Sequence, residues 1–549
     1  MNKLYHLMIL FLAALMPFAA SAQSGTVKGT VTDESGLPVI GAGVVVKGTT
    51  NGTISDIDGL YTITAAQGQT LVFTSIGYVT QEVVVGQSAE VNVVLKTDNE
   101  LLEEVVVVGY GVQKKVNLTG SVSVVESEDL VGRTSANTSN LLVGVVPNMN
   151  VTNDNGRPGD GSSINIRGVN SISSSAGPYV LIDGVEGNLD RVNPNDIESI
   201  SVLKDASSAA IYGAKAAFGV ILITTKQGSD GDAHVDYNGR FTFHSPAVRT
   251  DYETRGYYSA ALSDLFHETY QGVRFTNYND EDYYEMWIRR FDKTEHPDRP
   301  WAMIKDGKYK YYANMDWYNY FFKDSRPTHE HNVSVYGGTQ KLNYRISAGY
   351  YHQDGILRQG KGDEYTRYNM RARISSQVNK WLKVSNNTTY FADKYPYYTR
   401  GVVKNLWQKT MYGGLASIPA VNPDGSAIWI VDNYATSNNR LMSGYSMVAE
   451  NGATYNQDDN NHFSTTFEVT LTPVEGLRIT GDYTYTNAEY RCVNRSLPTT
   501  YSQYPGVIEN CYDLTDELKE ARTVQQIQTA NIYAKYSKSF NEAHNFSVT

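Results

Sequence analysis

Few residues in this chain have the types and spacing to do chemistry. His329-Glu330-His331 puts two imidazoles on one face of a strand, the start of a metal site. No third ligand follows nearby, and an ordinary strand end at a rim is the competing reading. Asp56-x-Asp58-Gly59 has the opening of a calcium loop without the remaining ligands, so it reads as a turn. Arg167 and Glu198 are candidate partners in a buried ion pair, with a solvated arginine as the alternative. Cys492 and Cys511 form neither a CxxC nor a Cys/His cluster at zinc spacing. They are candidates for a disulfide or two unrelated small hydrophobes. Gly-x-Ser-x-Gly, His-Glu-x-x-His and the phosphate-cradling P-loop are missing. The expectation is therefore a protein that is not an enzyme, with no cofactor and no metal.

Two further patterns point to recognition rather than reaction. Acidic residues and then Glu104-Val105-Val106-Val107-Val108 are followed by glycines, between regions of different character. A short β-branched strand on a tether suits strand addition to a partner sheet, where main-chain bonds carry the affinity; a buried linker strand is the alternative. The long loops carry Trp287, Trp301, Trp317, Tyr395, Tyr397, Tyr398, Trp407, Trp429 and Tyr434. Flat apolar rings with polar edges suit sugars and peptides alike, and they also serve loop packing. Tyr395, Tyr397, Tyr398, Trp407, Trp429 and Tyr434 are the ligand-binding candidates.

The elements that hold these residues follow from composition and period. Net charge is −11, which argues against a nucleic-acid partner. Only 19% of residues are charged, while there are 41 tyrosines and 46 glycines, a composition that fits outer-membrane barrels and also tyrosine-rich secreted β proteins. Residues 1–22 read as a cleaved export signal: Lys3, then the apolar run Leu7 to Ala20, then Ala20-Ser21-Ala22. Residues 23–98 alternate in short segments separated by turn clusters, which predicts a β-sandwich. Residues 99–114 form the linker. Residues 115–230 mix strands with small-residue helical turns, an α/β region. Val202-Leu203 and Val220 to Thr225 are its apolar strands, and Ala206 to Ile211 is a helix that Gly213 can end.

From residue 231 the pattern changes to long amphipathic strands. Leu342, Tyr344, Ile346, Ala348 and Tyr350 alternate with polar or small residues, as do Tyr368, Met370, Ala372 and Ile374 with Arg367, Asn369, Arg371 and Arg373. One greasy and one polar face over about ten residues is the signature of a lipid-facing strand around a wet lumen. Strands are expected near 235–245, 329–337, 342–352, 365–378, 381–393, 461–473, 477–491, 523–540 and from 545. Their links alternate long and short, as outer loops and periplasmic turns do. That alternation sets Cys492 and Cys511 in one outer loop.

Several separated blocks carry a family resemblance. Ile166-Arg167-Gly168, Asp183-Gly184-Val185, and Asn193 to Gly213 with Glu198, Lys204, Asp205 and Tyr212 inside it resemble the plug of SusC/RagA-like TonB-dependent outer-membrane transporters. The match departs at Val146-Pro147-Asn148-Met149, where a glycine is usual, which puts the local turn in doubt. The resemblance implies a mainly β protein: a carboxypeptidase-regulatory-like sandwich, a TonB box at Glu104 to Val108, an α/β plug, and the first part of a barrel that has twenty-two strands in the family. With about nine strands, the chain is expected to be the N-terminal portion of a longer protein. The resemblance further implies an importer of a glycan or peptide ligand in the outer-membrane lipid. It would be driven by TonB with ExbB/ExbD and capped by a SusD-like lipoprotein. A signal-transducing receptor and a surface adhesin are the alternatives.

Overall fold

The computed structural model describes residues 24–548 except 35, 50, 76–77, 87, 89, 97–104, 109–110, 115–120, 131, 134, 154–158, 160, 167, 169–176, 247–250, 359–362, 398–409, 411–413, 432–453, 511–514 and 541–543. The expected export signal therefore lies outside the described residues, as do Glu104, Arg167, Tyr398, Trp407, Tyr434 and Cys511. Two compact units form, one centred on residues 24–96 and the other on residues 121–548.

The first unit is the β-sandwich that the alternation predicts. Leu60–Ala66, Ser24–Asp33 and Val93–Leu95 make one sheet, and Gly52–Ile54, Gly43–Val46, Thr70–Thr74 and Gln81–Val84 the other. The inward residues Val31, Val44, Leu71, Phe73 and Leu95 are fully enclosed, and Tyr61 meets Phe73 edge-on at 5.3 Å between centroids. Asp56 is a turn residue: its Oδ1 accepts from the Asp58 and Leu60 backbone N–H groups, which ties that oxygen into the turn. Farther on, Val105–Val108 is extended and pairs with Gly111–Lys114 in a two-stranded sheet.

The second unit joins an α/β layer to a single large sheet. The α/β layer has a five-stranded sheet in the order Val122–Glu126, Ile197–Leu203, Val220–Thr225, Tyr179–Ile182, Val185–Glu186. Ile197, Ile200, Val202 and Ile221 form its dry centre. Pro194 opens a 3-10 turn with Asn193 as its cap, accepting from the Asn195 N–H. The expected helix is shorter than the composition suggested. It runs Ala206–Ala209, capped by Asp205, and tightens into 3-10 turns until Gly213, at φ 64° and ψ −148°, kinks the chain. At the departure from the family pattern, Asn148 adopts φ 61°. Asparagine is the non-glycine residue best able to take the left-handed position, so the turn survives without a glycine.

The large sheet is a meander of nine antiparallel strands: β1 (Gly231–His244), β2 (Arg326–Thr339), β3 (Leu342–Gln353), β4 (Tyr365–Asn379), β5 (Leu382–Tyr397), β6 (Tyr455–Val474), β7 (Leu477–Ser496), β8 (Glu517–Phe540) and β9 (His544–Val548). Each stands where the alternation places it, several with longer ends. Because β7 runs on to Ser496, Cys492 sits in a strand and not in the loop where the sequence reading put it. Burial along the strands is inverted relative to a soluble sheet. Glu330, Asn332, Arg345, Arg367, Asn369 and Arg371 are buried, while Val333, Ile346, Met370, Ile374 and Phe467 are exposed. That is the pattern of a sheet with lipid outside and polar filling inside. Among the described residues no helix is long and apolar enough to cross a membrane; strands can cross without one.

The link between β1 and β2 is a folded layer of its own. It holds α1 (Gly256–Gln271), α2 (Asp280–Arg289) with an Asn279/Asp282 capping box, and a hairpin of Ala302–Lys305 with Lys308–Tyr311. Trp317, Phe321, Leu357, Trp429 and Tyr501 pack together beneath it.

Candidate functional site

Asp183 is where the α/β layer meets the large sheet. It follows the strand Tyr179–Ile182 and begins a two-residue turn with φ 49° at Asp183 and 86° at Gly184. Positive φ at both positions is the primed hairpin turn for which Asp-Gly is the favoured pair. The turn projects the Asp183 carboxylate off the end of the sheet, where five donors converge on it. The Thr225 N–H and Oγ1 donate at 3.0 and 2.7 Å, Asn387 Nδ2 at 2.8 Å, Arg371 Nη1 at 3.0 Å and Arg373 Nη1 at 3.3 Å. The carboxylate is thus fixed by its own layer through Thr225 and by the inner wall of β4 and β5 through the other three groups.

A second acid reinforces the contact. Asp196, in the turn that Pro194 opens, lies 3.9 Å from Arg371 Nε. Burial pushes the Asp196 carboxyl up, and Arg371, Ser347, Arg345 and Lys226 pull it back. Arg371 and Asp196 are both almost fully enclosed. Charges so placed are tolerated only when paired.

Further polar groups extend this seam along the inner wall. Asn193 Nδ2 donates to Asn332 Oδ1 at 2.7 Å, and Asn195 Nδ2 to Glu330 Oε1 at 3.3 Å. Asn193 comes so near that a Cβ on Gly349 of β3 would lie 2.4 Å from its amide nitrogen and 2.7 Å from Asn332 Oδ1, so a side chain there would push these two amides aside. Asn369 Nδ2 donates to the Arg191 carbonyl at 3.0 Å, and Arg367, fully buried, donates to the Ala136 carbonyl. A cavity of about 120 Å³ lies beside Asp183, lined by Glu186, Arg191, Asn387, His462 and Glu468 among others. The interface is therefore held by ions and hydrogen bonds, with water-sized space alongside.

The sequence-derived candidates distribute around this seam unevenly. Asp183 is at its centre, with Gly184 completing the turn. Gly168 follows the strand Ser163–Ile166. Lys204 donates to Ser123 Oγ at 2.7 Å and to the Pro147 carbonyl at 3.2 Å, and Asp205 caps the following helix; both brace the layer internally. Tyr212 meets Tyr179 at 6.2 Å between centroids, beside the Gly213 kink. Glu198 is exposed, which corrects the expectation of a buried pair with Arg167: the register with the neighbouring strand shifts between Ile197 and Ser199, and the extra residue, Glu198, turns to the wet side.

The ligand-platform expectation also needs correction for two rings. Trp429 is 3% exposed in the core with Trp317 and Tyr501, and Tyr395 is 5% exposed against Tyr365 and Ala136. Their faces are spent on packing. Tyr397 is half-buried and stacks on Tyr395 at 5.2 Å. His329 and His331 lie toward the long-loop end of β2 on its outward face, with Glu330 turned inward. Among the described residues no group of three or more metal-ligating side chains is placed to hold an ion.

Sequence reasoning missed Arg371, Arg373, Asn387, Asp196 and Thr225 as site residues. The signal was present in the wet face Arg367, Asn369, Arg371, Arg373: three arginines on one strand face, facing a lumen, need acids brought from elsewhere.

Comparison with known proteins agrees with this geometry. Residues 27–107 match the CarboxypepD_reg-like domain and residues 114–220 the TonB-dependent Receptor Plug Domain. The TonB-dependent receptor SusC of Bacteroides thetaiotaomicron is 36% identical over 413 residues, 73% of this chain and 37% of that protein. A TonB-dependent receptor of Formosa agariphila is 30% identical over 533 residues, 95% of this chain and 45% of that protein. The solved structure of the RagAB peptide importer in the "open-open" state superposes with a TM-score of 0.60 at 25% identity, over 81% of this chain and 48% of that one. The chain thus spans between a third and a half of the length of these relatives. A regulatory-like sandwich, a plug seated by Asp183 and Asp196, and an inside-out run of barrel strands make this chain a member of the SusC-like TonB-dependent receptors of the outer membrane.

Proposed function

We propose that the chain works in energised import of an oligopeptide or glycan across the outer membrane. Residues 1–22 direct export, and a SusD-like lipoprotein closes over the outer loops. Glu104 to Val108 is the strand that TonB, driven by ExbB/ExbD, adds to its own sheet. The observation that carries this reading is the polar seam at Asp183. Dry apolar packing would resist displacement of the plug throughout its path. Ion pairs and hydrogen bonds can exchange with water as the plug moves and re-form when it returns, because their net contribution in water is small. The pull arrives through the linker that ends at the plug, and the strand from Val105 is the handle.

The test is proline at Val106 in the full-length protein. Proline removes a main-chain donor and blocks strand addition. Growth on a panel of oligopeptides and glycans as sole carbon source should fail, while binding of the same panel to whole cells persists. Growth of the Val106→Pro strain at the parental rate would refute the placement of the handle.

A further inference from the structure

The face of β1 to β4 that points away from the plug changes character along its length. Toward the short turns its cross-strand rows are apolar: Val235, Val335, Ile346 and Ala372 stand in register, and Tyr237, Val333, Ala348 and Met370 in the next. Toward the long loops the rows turn to imidazoles and phenols. Phe241, His329, His352 and Thr366 form one row, and Gly239, His331, Tyr350 and Tyr368 the row below it. The rings touch one another: His329 is 5.2 Å from His352, 5.6 Å from His331 and 5.5 Å from Tyr350 between centroids. Some of the polar atoms are tied. His331 Nδ1 meets Tyr237 Oη at 2.7 Å, and His352 meets Thr366 Oγ1 at 2.9 Å and Asp354 Oδ1 at 3.1 Å. Among the described residues His331 Nε2 and both nitrogens of His329 have no protein hydrogen-bond partner, and His329 Nδ1 is enclosed by its neighbours.

We propose that this imidazole patch is a docking site for the phosphate-bearing headgroup of an outer-leaflet lipid. The argument is continuity. The apolar rows lie against acyl chains, so the rows that follow them toward the outer loops lie at headgroup level, where aromatic girdles stand. Tyrosine and tryptophan suffice for an ordinary girdle. His329 and His331, in ring contact, add N–H donors suited to phosphoryl oxygens, which occur at that depth in lipid headgroups; His352 stands against His329 with both of its own nitrogens tied. His329 Nε2 and His331 Nε2 left without partners against lipid are costly, and a headgroup phosphate supplies the partner. The site rests only on the outward orientation of these strands, and it is independent of what the protein imports.

The test uses the full-length protein in phosphatidylcholine nanodiscs containing either bisphosphorylated lipid A or its dephosphorylated form, with bound lipid counted by native mass spectrometry. The parent should retain the phosphorylated lipid about tenfold over the other. The variant His329→Phe/His331→Phe keeps the ring area and removes the donors, so it should retain both lipids alike; His331→Phe alone should lie between. Heat-modifiable mobility on gels reports that each variant is folded. Equal retention by the parent, or an unchanged preference in the folded variants, overturns the proposal. Displacement of the lipid by millimolar inorganic phosphate would assign the patch to a free anion instead. A change of oligomeric state with lipid preference intact would assign it to a second copy of the chain. Either result overturns the proposal as well.

Discussion

Asp183→Asn is the most direct test of the seam. The substitution keeps the shape of the side chain and one acceptor oxygen, but it removes the charge that faces Arg371 and Arg373 and turns a donor toward them. Asp183 is 12% exposed, Arg371 7% and Arg373 22%, so solvent can take up little of the loss. Breaking one side of a buried pair costs roughly 3–5 kcal/mol. Arg371 keeps Asp196 at 3.9 Å, which argues for the lower end, about 3 kcal/mol. At about 1.4 kcal/mol per factor of ten, that raises the population of the unseated plug on the order of a hundredfold. Amide exchange of the strand Val220–Thr225, which ends in the seam, should speed by that factor in the full-length protein. Outer-membrane leakage to a large antibiotic should rise with it. The control is the double-mutant cycle with Arg371→Gln. Two groups in direct contact should show a coupling energy of about 1–3 kcal/mol. Additive effects would mean that the 3.0 Å contact carries no energy, and the account of the seam would fall.

Two other outcomes follow from single residues. Burial pushes the Asp363 carboxyl, in the loop before β4, up to about 6, against the Ile356 and Leu357 N–H donors and the cations Lys323 and Arg326. A folded value above the ordinary one means that the contribution of this group is full below about pH 4 and is lost as pH rises through 6, about 3 kcal/mol in all. Amide exchange at Ile356 and Leu357, corrected for its intrinsic pH dependence, should therefore quicken between about pH 4 and pH 7 and lose that step in Asp363→Asn; a step that persists in the variant would refute the assignment. At Gly228, on the link from plug to β1, a Cβ would lie 2.4 Å from the Tyr344 carbonyl oxygen and 2.6 Å from its nitrogen. Backbone atoms cannot swing aside, so Gly228→Ala should cost about 1–3 kcal/mol and reduce the heat-modifiable, assembled fraction; an unchanged fraction would mean that the link does not run this close.

Much of this protein is legible in one dimension because its rules are local. Two-residue alternation, together with the long and short rhythm of the links, placed the nine strands of the large sheet, since a strand between lipid and a wet lumen must satisfy both faces. The turn at Asp183-Gly184 was readable for the same reason: that residue pair favours one hairpin geometry by its own backbone preferences. The folding of residues 245–325 into helices and a hairpin was not readable, because its aromatic core is closed by Leu357, Trp429 and Tyr501 from other loops. The aromatic residues of those loops looked alike in sequence, and only packing separated Trp429 and Tyr395, which fill cores, from the half-exposed Trp287. The seam itself belongs to the tertiary structure. Asp183 and Arg371 are 188 residues apart, and neither residue type nor spacing says that they meet. A buried charge must have a partner, but which one it finds depends on how the plug sits in the wall of β4 and β5.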